Sequence, residues 1–455
     1  MADLRKIFAV ACVGTAIPNL DLFSINIALP RIAAEFKGVP IEDLSWVLNG
    51  YAIAFAALLV FFGRLAEGYR RDRSFLLGVG IFSLAAIASA VSSNVWELVA
   101  YRVIAAAGAA LMTPTSIGLI LATFPPERRG AAIRNWAGIG GLAAALGPVL
   151  GGALVSIDWR WVFVANATFG ALSILVGWRY LPSVPGHVVK RPSFVAAALV
   201  TAGIATLIFA IVKVNALGWN SPQVVGSFVA SLILLCLFAL HSLRSTNPLV
   251  DPALFRIRPY SGAALALIPY SISFGAMLFS VAVWGQSAWG WSALQAGLAI
   301  IPGPLMVPIT STFLTGRLIE RYGVVYPVAL GVALVIAGFI IWALFIGQES
   351  NTLLIVVGML LNGTGVGLIF PALMGTATQA LPAAAFATGS GAINMVRQAA
   401  IAIGVAIFVA IVGTPSSLNE RLVAFEHGWW LLVFITALTL IPTFKLLGST
   451  TSRTA

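Results

Sequence analysis

The chain has 455 residues, of which 60% are hydrophobic and 9% charged, with a mean hydropathy of +1.00 and a net charge of +11. Water-soluble domains carry about 25% charge, so a soluble globule is excluded. A nucleic-acid binder is excluded too, because the basic residues neither form a long run nor sit in a polar domain. Apolar runs that are continuous instead of alternating exclude a β-barrel and predict an all-α integral membrane protein embedded in a lipid bilayer.

Taken in chain order, the apolar runs predict fourteen spans, near 8–29, 46–66, 74–93, 97–123, 132–156, 161–181, 194–214, 223–242, 261–284, 293–315, 324–346, 352–376, 389–413 and 428–447. The first holds Asp21 and Asn26, the second Trp46 and Tyr51. A charged hinge follows, Gly63-Arg64-Leu65-Ala66-Glu67-Gly68-Tyr69, with Arg70, Arg71 and Arg73 behind it. The fourth span holds Arg102. The fifth holds Gly138 and then Gly147-Pro148-Val149-Leu150-Gly151-Gly152, small residues that let a neighbouring backbone come close, with a proline that interrupts the hydrogen-bond ladder. The ninth holds Phe274 and Met277. After the tenth the hinge recurs as Gly316-Arg317-Leu318-Ile319-Glu320-Arg321-Tyr322, and the thirteenth holds Asn394 and Arg397.

The recurring hinge predicts an internal duplication: six spans, an unmatched pair, and six more. The implied bodies are residues 1–182, a linker with a two-helix insertion at 183–255, and residues 256–455. Basic residues fix the orientation, because Lys and Arg in short loops stay cytoplasmic. With the N-terminus inside, the outside keeps only Arg31, Lys37, Arg160, Lys213 and Arg421, and Arg102 and Arg397 alone remain in the membrane. An even number of spans puts both termini in the cytoplasm. The first apolar run reads as a resident span without a convincing cleavage site, and Cys12 and Cys236 lie in apolar runs as free thiols.

Charge inside a membrane is expensive and marks function by default. Asp21 is the one acid well inside a span, and at about 1.5 Å per residue it sits at a depth comparable with Arg102. A carboxyl whose hold on a proton depends on the approach of Arg102, or of a substrate, couples proton flow to transport, provided that water reaches it. The rival reading is a fixed ion pair that satisfies two buried charges. Arg397 faces either a substrate cavity or a tether made of Asn394, Asn362 or backbone carbonyls. Asn26, Trp46, Tyr51, Phe274, Met277, Asn394 and Arg397 are the candidate cavity residues. Gly63, Glu67, Arg71, Gly316, Glu320 and Arg321 are the candidate gating residues, the acids as caps for facing helix ends. His187, His241 and His427 make no metal set, and no nucleophile with its base and no phosphate-binding loop is present. No cofactor, metal or enzymatic activity is expected.

On these motifs the chain resembles the major facilitator superfamily, in its fourteen-span drug:proton antiporter branch. Leu20-Asp21 with Asn26-Ile27-Ala28-Leu29-Pro30, the Gly63–Arg73 loop, Arg102, the Gly138–Gly152 signature, Trp159-Arg160-Trp161-Val162-Phe163 with Asn166, and Asn394-Met395-Val396-Arg397-Gln398 with Gly404 are similar to signatures of that branch. It departs at Glu67-Gly68 and Arg70 in the first hinge, at Ala105-Ala106 before Gly108, and at Thr168. The resemblance implies two pseudo-symmetric six-helix bundles, protons handled by Asp21 and Arg102, and Gly138, Gly147, Pro148, Gly151 and Gly152 as an antiporter motif. The expected activity is proton-coupled export of amphipathic small molecules by alternating access, by a monomer in the bacterial inner membrane. Rival expectations are a dedicated exporter of an anionic or neutral metabolite, a proton-coupled uptake symporter, and a membrane sensor or scaffold.

Overall fold

The computed structural model describes residues 4–36, 38–186, 192–246, 248–381, 386–413, 415 and 417–447. Lys37, His187, Lys190, Arg191 and Arg453 lie outside the described residues, as do the side chains of Glu67 and Arg134. Among the described residues, fourteen helical segments are long and apolar enough to cross a membrane. They are Leu4–Glu35, Glu42–Ala66, Arg71–Ala90, Val95–Thr123, Gly138–Ile157, Arg160–Tyr180, Phe194–Val214, Pro222–Arg244, Arg258–Ser287, Ala293–Tyr322, Val325–Phe345, Thr352–Gln379, Gly389–Val412 and Leu418–Leu447. Each is called below by its ordinal.

The helices outrun the apolar stretches that predict them. The first continues through Pro30 to Glu35, where the sequence suggested an end at Pro30; a proline in a membrane helix removes one hydrogen bond without ending the helix. The helix carrying the fifth span begins at Pro126, with proline in its first turn where no amide is needed, and runs unbroken through Pro148. The tenth span is built in pieces, Ala293–Ile300, Pro302–Thr310, a π-helical turn at Ser311–Thr315 and Gly316–Tyr322. Ser292 and Gln295 close a capping box at its start.

Packing repeats with the hinge. In the first six spans, three packs on four, two on four, one on five and three on six; in the last six, eleven packs on twelve, ten on twelve, nine on thirteen and eleven on fourteen. Every pair in one set is the other shifted by eight spans, as a duplicated bundle requires. The two bundles meet along two seams, between the second and thirteenth spans and between the fifth and tenth.

The remaining hairpin stands at the first of these seams. Ala196, Val200, Ile204 and Ile208 of the seventh span share a buried cluster with Ala52, Ala56 and Val60 of the second and Ala392, Ala399 and Ala402 of the thirteenth. It is tied at both ends of the second span: Lys213 pairs with Asp43 at 2.6 Å, and Arg64 donates to the carbonyl of Pro248. The eighth span lies outermost, with Leu232, Ile233, Leu237 and Leu243 exposed.

Candidate functional site

The first, fourth and sixth spans bring one polar cluster together inside the first bundle. Arg102 Nη1 donates to Asp21 Oδ2 at 2.6 Å, and Asn166 Nδ2 donates to Asp21 Oδ1 at 2.9 Å. Arg102 Nε donates to the Val47 carbonyl at 3.4 Å. The guanidinium lies over the Tyr51 ring, 4.3 Å from its centroid, with Phe163 at 5.9 Å. Asp21 and Arg102 therefore meet directly. Both are 1% exposed: in this arrangement the aromatic rings and the three helices close over the pair.

The cluster is neutral but incompletely bonded. Arg102 Nη2, the Tyr51 hydroxyl and Asn166 Oδ1 are buried without partners among the described residues. Adding a proton to Asp21 would leave the guanidinium as an uncompensated buried charge, a state that costs several kcal/mol unless the helices part or water enters. Protonation and helix packing are thereby coupled by electrostatics. Asn166 was legible only as part of the Trp159–Asn166 signature; a buried amide in an apolar span was the signal for a partner to Asp21.

The fifth-span glycines grip the same turn. A side chain at Gly147 would meet Phe23 Cβ at 2.7 Å and the Leu20 carbonyl at 3.1 Å, and one at Gly151 would meet Ser24 Cα at 2.7 Å. Ser24 Oγ donates to the Gly147 carbonyl at 2.9 Å. On its other side this helix touches the second bundle: Gly152 abuts the Ala293 carbonyl, with only 2.6 Å for a Cβ, and Gly297 abuts Pro148. Gln286 Nε2 adds a bond to the Ile27 carbonyl at 3.1 Å. Toward the basic ends of the same two spans, Gly138, Gly141 and Gly316 have open space where a Cβ would stand.

Other expected site residues are dispersed. Asn26 bonds within its own helix to Leu22, and Trp46 turns toward the hairpin, 6.5 Å from the Phe209 ring. In the second bundle, Phe274 stacks on Tyr270 at 6.3 Å, Met277 is buried, and Arg397 lies over the Phe370 ring at 5.1 Å. Asn394 Nδ2 donates to the Ser390 carbonyl.

At the first hinge Gly63 faces Pro114, and Arg71 Nη1 reaches the Gly118 carbonyl at 3.3 Å. Asp72 at this hinge pairs with Arg70 at 2.7 Å and accepts from the Val184 amide at 3.1 Å. Its place inside an arginine run hid it from the sequence reading. At the second hinge Glu320 is exposed and caps no helix among the described residues, while Arg321 lies over its neighbour Tyr322 at 5.3 Å.

Comparison with known proteins agrees with this architecture. A peptide transporter crystallised with sulfate superposes with a TM-score of 0.73 over 97% of this chain and 95% of its own, at 17% identity, which speaks to the fold alone. The tetracenomycin C resistance and export protein of Streptomyces glaucescens is 29% identical over 90% of this chain and 74% of its own length. The methylenomycin A resistance protein of Bacillus subtilis is 28% identical over 90% and 87%. The family model of the Major Facilitator Superfamily matches residues 11–405, and with fourteen spans, a repeated helix-packing pattern and a duplicated hinge, the chain belongs to that superfamily.

Proposed function

We propose that the protein is a proton-coupled exporter of amphipathic small molecules, a monomer in the bacterial inner membrane with both termini in the cytoplasm. The two bundles rock about the seams, and exchange of a proton at Asp21 accompanies the passage. One observation carries the reading: a single turn, Leu20 to Ser24, holds the Asp21 carboxylate and is also gripped by the fifth span, which in turn rests on the tenth span of the other bundle. Parting Asp21 from Arg102 therefore pulls on the contact between the fifth and tenth spans. The relatives named as resistance and export proteins, and the charge asymmetry of the loops, support direction and orientation.

Because the pair is sealed in the present arrangement, proton exchange belongs to a second arrangement in which the first and fourth spans separate. The competing reading, a fixed structural pair, draws on that same 1% exposure. Proteoliposomes holding an internal pH dye separate the two. Under an imposed pH gradient, addition of a transported amphiphile moves the internal pH in wild type, and Asp21→Asn inserts normally but gives no coupled signal. Coupled transport by Asp21→Asn at the wild-type rate would remove Asp21 from the mechanism.

A further inference from the structure

Of the three charges that the sequence places deepest in the membrane, Asp21 and Arg102 cancel and Arg397 pairs with no described carboxylate. Asp21 is committed to Arg102 at 2.6 Å. Arg397 stands in the other bundle, on the thirteenth span, and no described carboxylate forms an ion pair with it. Its Nε is buried with no hydrogen-bond partner among the described residues.

Arg397 is half-buried and keeps its charge at any physiological pH, so a guanidinium with no anionic partner at this depth carries a cost that water or an anion must offset. Of the two alternatives for Arg397, cavity or tether, no hydrogen bond from its guanidinium to Asn394, Asn362 or a backbone carbonyl is present among the described residues; Asn394 Nδ2 donates to the Ser390 carbonyl at 3.0 Å and Asn362 Nδ2 to the Gly358 carbonyl at 2.8 Å, and neither amide oxygen accepts from the arginine. Phe370 of the twelfth span lies under the guanidinium at 5.1 Å, and the ninth span brings Tyr270, itself stacked on Phe274, within electrostatic range of the charge. Rings soften a cation through their faces but bring no negative charge. They also offer a surface for another flat apolar body, and the guanidinium edge is shaped for two oxygens at once.

We infer that Arg397, with Phe370, Tyr270 and Phe274, forms the seat of the exported molecule and that this molecule is an aromatic anion, its carboxylate or sulfonate on the guanidinium and its ring among the aromatic side chains. The inference rests on the exporter reading and narrows it: the cargo supplies the countercharge that the second bundle lacks, whereas the first bundle supplies its own.

Three probes that share one fluorophore test it on purified protein in nanodiscs and in proteoliposomes: dansylate, an anion; dansylamide, neutral; and dansylcadaverine, a cation. The expected result is that dansylate binds about tenfold or more tightly than dansylcadaverine and is the transported species under a pH gradient. Arg397→Gln brings the two affinities within about threefold, and Arg397→Lys, which keeps the charge but loses the fork, retains part of the preference. Equal binding of all three probes, or a preference for the cation, overturns the anion assignment while coupled transport of dansylamide or dansylcadaverine leaves the exporter reading intact. Binding of dansylate with full affinity to Arg397→Gln likewise overturns it. If no probe is transported or moves the internal pH, the exporter reading fails and this inference fails with it.

Discussion

A carboxylate 2.6 Å from a guanidinium, both 1% exposed, ties its own stability to its partner's presence. Removing one member of such a buried pair costs about 3–5 kcal/mol, while replacing both with apolar groups is nearly neutral. Arg102→Met is therefore expected to lower the melting temperature in detergent sharply, and the double variant Asp21→Leu with Arg102→Met to regain most of it while remaining unable to couple protons. Equal destabilisation by the single and double variants would show that the two charges do not depend on each other. At this scale the sequence was half legible. The cost of charge in hydrocarbon singled out Asp21, Arg102 and Arg397, but depth arithmetic says nothing about azimuth, so Asn166 and Tyr51 entered the cluster only through the packing of the second, fourth and sixth spans. The same gap sent Trp46 to the hairpin instead of the centre.

Among the elements, the fifth span carries the contrast that a mutation series reads best. Gly297 faces Pro148 across the seam with no room for a Cβ, whereas Gly138, on the same fifth helix, has open space around it. Gly297→Val is expected to hold the bundles apart there and reduce export about tenfold or more, with insertion preserved; Gly138→Ala is expected to transport like wild type. Comparable losses from both would mean that the motif acts through helix flexibility and not through close approach. The Gly-Pro-x-x-Gly-Gly spacing announced a tightly packed helix before any coordinates. It did not announce the partners, because a small residue marks a contact without naming what fills it. The tenth span shows the converse. Its apolar run predicted one helix, and Pro302, Pro304 and Pro308 with the π-helical turn at Ser311–Thr315 divide it into segments that hydropathy averages away.

For the whole molecule, the duplication was fully readable, since two matching hinges imply matching bundles and the helix pairs recur with a constant shift of eight. The insertion was readable as extra and not as to its place. Ion pairs at the surface contribute only about 0–1 kcal/mol and Lys213 with Asp43 is partly exposed, so it positions the seventh span more than it stabilises it; the buried apolar cluster does most of the holding. In a Cys12→Ser, Cys236→Ser background, deleting residues 194–244, or replacing Ile204 and Ile208 together with Asp, is expected to expose Ala402→Cys to a lipid-soluble pyrene maleimide that does not label it in the otherwise intact protein. Labelling at equal rates with and without the hairpin would disprove its shielding role. The consequence concerns doorways. A two-bundle machine of this kind has a crevice on each flank through which a greasy molecule dissolved in the leaflet can slip sideways, and here one flank is shuttered by a panel fastened at top and bottom. The other seam, between the fifth and tenth spans, carries no such panel among the described residues, so the two flanks are lopsided although the framework is twofold.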